Sequence, residues 1–208
     1  MTHSLHRRGS IEDLREDFVL LVIPPRDENS QESEETQGKM KQVWEVFSHY
    51  EKDLSNFGNG LSLLPMDVLK SNKAKTIAHA VFKDRETLKA CVRELRDRQF
   101  GISVVISGLY EEVNKICSEL DFSPHTVEHS LGAHGQTERL PGKNILEITT
   151  MCGHHTVSPY LAMHLIERIN KGKMTYEKAA KELSRMCTCG IFNPHRAENI
   201  LRRLTSKA

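Results

Sequence analysis

Residues 18–23, Phe-Val-Leu-Leu-Val-Ile, are apolar without alternation, the pattern of a strand buried on both faces, and Pro24 and Pro25 end it. Just before it, Ser10 with Asp13 three residues later has the form of an N-cap and a capping-box-like partner for one short helical turn. Residues 26–38 are rich in Glu, Gln, Ser and Asn with nothing apolar to bury, so they are expected to form a mobile loop. Met40, Val43, Trp44 and Phe47 then recur at the i, i+3, i+4, i+7 spacing of one buried helical face, which puts Trp44 in the core.

The middle of the chain alternates between strand and helix patterns. Residues 76–82 read as a strand, and Asp84 caps a helix to about Arg98 with Leu88, Cys91, Val92 and Leu95 inward. Gly101 opens a strand over 102–107. A second helix over 109–120 carries Leu109, Val113, Ile116, Cys117 and Leu120 on one stripe, and residues 126–131 and 144–151 read as further strands. Strand, helix, strand with short connections predicts right-handed crossovers. The expected class is therefore α/β, with a mixed, partly parallel sheet of about five strands and a C-terminal three-helix segment.

The tail is closely punctuated. Ser158 and Pro159 form an N-cap and first helical residue, with Leu161, Leu165, Ile166 and Ile169 inward and Gly172 as the break. Thr175 starts the next helix, facing in through Ala179, Ala180 and Leu183. Asn193 and Pro194 cap a last one with Ala197, Ile200, Leu201 and Leu204 inward. The organisation expected is an N-terminal strand and mobile polar loop (1–38), an α/β body (39–151) and a helical tail carrying cysteine and histidine loops (152–208).

Composition narrows the class. The chain has 208 residues, 38% hydrophobic and 27% charged, and 29 Lys plus Arg against 28 Asp plus Glu leave a net charge of +1. No global field holds nucleic acid or an anionic membrane, so partners must be recognised locally. The longest apolar run is far below the roughly 20 residues of a spanning helix, and no signal-peptide core follows the first eight residues, so a cytoplasmic protein is expected. Five cysteines, an odd count, suit reduced thiols or metal ligation better than a disulfide framework. Cys91 and Cys117 fall on core faces of helices as small hydrophobes, which leaves three for chemistry.

Those three lie in two short glycine-bearing loops, each leading into a helix: Met-Cys-Gly-His-His at 151–155 and Met-Cys-Thr-Cys-Gly at 186–190. Thiolate and imidazole are the ligands of zinc and of iron–sulfur clusters. Cys152, His154, Cys187 and Cys189 are the expected metal ligands. His154 is favoured over His155 because the Cys-x-His spacing lets both side chains turn the same way. The spacing matches neither zinc-finger nor ferredoxin patterns. Strand alternation would make Cys152 a strand-end residue on the face of Leu146 and Ile148. An iron–sulfur cluster is placed slightly ahead of zinc, since three sulfurs with glycine loops suit a cluster in a redox or metal-dependent enzyme. Two other readings are a structural zinc in an interaction or DNA-binding protein, and a metal-free thiol couple of Cys187 and Cys189.

A second histidine cluster lies at 125–134. Alternation places His125, Val127, His129 and Leu131 on one face, with His134 at the following glycine-flanked turn. His155, His129 and His134 are the candidates for moving protons in an enzyme. Arg7 and Arg8 are candidates for reading an anion over a pocket. No phosphate loop or nucleophile elbow is present. Residues 158–186 admit a helix-turn-helix reading, against which the acids Glu167, Glu177 and Glu182 interrupt any basic stripe. Neither a substrate nor a redox partner can be read from these residues.

Overall fold

A computed structural model describes residues 6–25, 33–59, 64–71 and 77–205. Most of the loop expected at 26–38 lies outside them, but its end does not. Ser33 accepts a hydrogen bond from the Thr36 backbone and caps helix α2 (Glu34–His49), so the helix starts inside the stretch read as loop. The short turn capped by Ser10 is present as α1 (Ile11–Leu14).

The sheet corrects the expected fold. Among the described residues it has four strands, β1 (Phe18–Ile23), β2 (Leu54–Gly58), β3 (Ala78–Phe82) and β4 (Ser103–Ser107), in the order β2-β3-β1-β4, and every neighbouring pair is antiparallel. Helix α4 (Arg85–Asp97) does join two strands of like direction, but β1 lies between them. The crossover skips one position, so strand-helix-strand connectivity produces no parallel pair. Helix α2 likewise links β1 to β2 across β3, and the result is two interleaved split β-α-β units, the ferredoxin-like arrangement. The fold alone carries no function.

Two further strand readings also fail. Residues 144–151 belong mostly to helix α6 (Lys143–Thr149), so Cys152 follows a helix and not a strand. Leu146, Ile148 and Thr150 alternate as in a strand, but Ile145, Leu146, Ile148 and Thr149 equally make a helical face, and in so short a run tertiary packing decides. Residues 126–131 are exposed and irregular. In the other direction, β2 carries Asn56 and Gly58, weak strand formers that hide it in the sequence.

Strand β1 is the centre of the molecule. Phe18, Leu20 and Val22 enter a core with Met40, Trp44, Phe47, Phe82, Leu88 and Ile116, under α2, α4 and α5 (Tyr110–Glu119). Val19 and Leu21 enter a second core on the opposite face, with Val81 and the layer of α6, α7 (Pro159–Asn170), α8 (Tyr176–Arg185) and α9 (Pro194–Thr205). The remaining helix, α3 (Met66–Ser71), packs on α2. Burial on both faces explains the unbroken apolar run of β1. Among the described residues no helix is long and apolar enough to cross a membrane.

Candidate metal centre

The three cysteines of the two loops belong to the second core. The turn after α6 is closed by Cys152 N–H donating to the Thr149 carbonyl (3.2 Å) and His155 N–H to the Cys152 carbonyl (3.0 Å), with His155 at φ +56°. The turn after α8 is closed by Cys187 N–H to Ser184 (3.0 Å) and Gly190 N–H to Cys187 (3.1 Å). Gly190 has φ +80°, and a Cβ there would stand 2.6 Å from the Phe57 carbonyl oxygen of β2. Both the conformation and the contact demand glycine. Gly190→Ala is expected to lower stability by at least about 1–3 kcal/mol, measured by urea unfolding, because a strained φ and a backbone clash add.

That contact seats the second loop on the sheet. His79 of β3, itself buried, donates through Nδ1 to the Cys189 carbonyl at 3.0 Å. Asn56 of β2 donates to the Phe192 carbonyl at 2.9 Å.

The four expected ligands lie in one chain of contacts. Cys187 Sγ is 3.5 Å from Cys189 Sγ, and Cys189 Sγ is 3.7 Å from His154 Nδ1. Cys152 reaches Cys187 through a side-chain hydrogen bond and lies 3.0 Å from the Thr156 hydroxyl. The three thiols are buried and His154 is exposed. Among the described residues no group of three or more such side chains is arranged as a finished cage for an ion. The donors are adjacent but not yet convergent.

Their protonation follows from that adjacency. The Cys187 thiol between two sulfurs is the main cause that lowers Cys152 to about 4 and Cys189 to about 6, against the opposing effect of burial. The Thr156 hydroxyl also helps Cys152, and the Ile191 backbone N–H and His154 help Cys189. Cys187 is pushed far up, because its proton is shared with the two thiolates it touches. Two thiolates bracketing one thiol is the state a soft cation displaces a proton from. By contrast, burial pushes up the thiols of Cys91 and Cys117 in the first core.

The histidines proposed for proton transfer are dispersed. His129 meets the Tyr110 ring edge-on at 5.1 Å, and His134 Nε2 contacts the Leu131 carbonyl at 2.9 Å, both on the exposed stretch after α5. His155 is exposed beside His154. The structure brings the metal-ligand candidates together and leaves His129 and His134 with other partners.

Residues outside the motifs hold the loops from behind. Arg7, one candidate for reading an anion, instead pairs with the buried Asp17, and its guanidinium also donates to the carbonyls of Met151 (3.3 Å) and Ile191. It thus grips the residue before Cys152 and the second residue after Cys189. Arg196 pairs with the other Asp17 oxygen at 2.8 Å and donates to the Arg8 carbonyl at 2.6 Å. Asn193 donates to Asp17 at 3.0 Å, and the Arg8 N–H donates to the Thr150 hydroxyl at 3.0 Å. Burial works against the Asp17 charge, but the two guanidiniums and Asn193 outweigh it and hold its carboxyl below the usual range. Asp17 and Arg196 carried no local signal in the sequence, and Asn193 was legible there only as a helix cap.

Neither protein-family models, curated proteins nor solved structures give a match to this chain. Function therefore rests on the site.

Proposed function

We propose that the chain binds a single zinc ion through Cys152, His154, Cys187 and Cys189, and that this ion fastens the α6–α9 layer to the sheet. The observation that carries the reading is the run of donor contacts at 3.5 and 3.7 Å. A tetrahedral zinc with Zn–S bonds of about 2.3 Å has sulfur-to-sulfur edges of about 3.8 Å, so ligands of one ion touch one another. In a cluster each iron takes at most two protein ligands, so three cysteines are shared between irons and the cluster body holds at least one sulfur away from the others. Here Cys187 touches both other thiols, which favours one ion over a cluster. Convergence requires a turn of the exposed His154 toward the thiols.

Four protein ligands leave no open position, the mark of a structural and not a catalytic zinc. The two loops belong to different helix connections, and the second rests on the sheet through His79 and Asn56, so an ion joining them restrains three parts of the fold. A basic nucleic-acid face is not favoured: Lys171 pairs with Glu167, Arg202 with Glu198, and Arg203 with Asp13 and Glu147. Protein purified anaerobically, without chelator or nickel affinity resin, is expected to be colourless with about one zinc per chain. Iron with sulfide and visible charge-transfer absorption would replace zinc by a cluster. Metal-free protein whose mass spectrum shows a Cys187–Cys189 disulfide would leave the thiol couple.

A further inference from the structure

The sheet is built by skipping positions: β3 fills the gap between β1 and β2, and β1 fills the gap between β3 and β4. The chain beyond β4 repeats the move. After α5, residues 122–129 run in the same sense as β4. They pass from Phe122 beneath the Arg96 guanidinium (6.0 Å to the ring centroid), near the strand's start, to His129 against Tyr110 past its end. They do not pair with β4. A cavity of about 680 Å³ lies between, touching Val104, Val105, Ile106, Ser107 and Gly108 in unbroken succession, with residues 122–129 as its opposite wall. Successive strand residues point to opposite faces, so contact with all of them marks the strand's open edge. The layout is a third split β-α-β unit, one strand wide in the middle.

Both walls are suited to pairing. Among the described residues β4 bonds only to β1, and residues 101–110 contain neither charge nor proline, the features that guard a solvated edge. Among the described residues, 123–134 make no backbone-to-backbone hydrogen bond, and every residue from 121 to 140 is exposed, Leu131 at 86%. Yet residues 126–131 alternate, Val127, His129 and Leu131 against Thr126, Glu128 and Ser130, as a strand does.

We propose that this position is filled by the same segment from a second copy of the chain. A two-fold axis between the two segments gives the order β4, partner's segment, own segment, partner's β4. Because each segment runs with its own β4 and the axis reverses the partner, every neighbouring pair in that order is antiparallel, like every pair in the sheet. Each segment acquires two pairing neighbours without leaving the cavity wall. Its alternating Val127 and His129 line the same cavity as the apolar Val92, Leu95 and Val113. The 20 exposed residues 121–140 together with the five of β4 match the roughly 20–30 residues a side that a stable interface takes.

The test is molar mass by light scattering, with reductant, from about 1 to about 100 μM, since interfaces of this size bind at micromolar or tighter. The wild-type chain is expected to be a dimer. Glu128→Pro removes a pairing N–H from an exposed segment, and Val104→Lys places a charge on the open edge. Each is expected to give a monomer with an unchanged far-ultraviolet circular dichroism spectrum. A wild-type monomer throughout the range, which would leave the cavity to a foreign peptide or a small apolar molecule, overturns the proposal. So does a dimer that survives either substitution.

Discussion

Cys187→Ser is expected to abolish metal retention and to lower the melting temperature by roughly 6–12 °C, the shift that a loss of about 3 kcal/mol produces in a chain of this size. Cys187 is the ligand to change because it is the only one of the four whose sulfur touches both other thiols. A serine hydroxyl there supplies neither the soft donor nor the bridge, and two thiols with one imidazole hold zinc far more weakly. Binding to the native state alone adds its free energy to folding, so chelator should bring wild-type protein down to the melting temperature of the variant. The same chelator should leave Cys187→Ser unchanged. Cys91→Ser is the comparison: it perturbs the first core and should keep its zinc. A Cys187→Ser protein that still carries one equivalent of zinc would falsify the ligand assignment.

What was legible in the sequence divides along a physical line. Helices announced by their own caps were readable, because the signal is local: Asp84 accepts from Thr87 N–H at 2.8 Å, and Thr175 accepts from Lys178 N–H at 3.3 Å. The neighbour of a strand is not local. Alternation and crossover length specify that β3 and β4 point the same way, but nothing near them states that β1, some 60 residues earlier, lies between. The alternating pattern at 126–131 reads as a fifth strand in the sequence, yet it pairs with no strand among the described residues. The grouping of Cys152, His154, Cys187 and Cys189 was legible because cysteine and histidine in short glycine loops are chemically marked. Its support was not, since Arg7 and Ile191 are 184 positions apart and a carbonyl acceptor leaves no trace in the sequence. Histidines read as an apolar-face cluster proved to be on an exposed segment, where alternation alone does not report depth.

Asp17→Asn is expected to cost about 3–5 kcal/mol at neutral pH, the usual penalty for removing one member of a buried ionic group. Asp17 is fully enclosed and serves two guanidiniums, Arg7 and Arg196, so its loss leaves two buried cations facing an amide that offers one oxygen. Because the native carboxyl is held below its unfolded pKa of about 3.9, its contribution is complete above that value and is lost as the pH falls through the lower native one. The stability gap between wild type and Asp17→Asn should therefore be constant from neutral pH down to about 5 and shrink below about 4. Urea unfolding of both proteins in chelator, at pH 7 and near pH 3.5, isolates this from protonation of metal ligands; a gap that widens in acid would contradict the assignment. The substitution should also reach the metal. Arg7 holds the Met151 and Ile191 carbonyls and zinc would join Cys152, Cys187 and Cys189, so the same two loops would be clamped twice. With its carboxylate partner gone, Arg7 no longer has a fixed position from which to donate. Zinc affinity, measured by competition with a chromophoric chelator, should fall by about 10–100-fold, the range seen when outer-shell support of a metal site is removed.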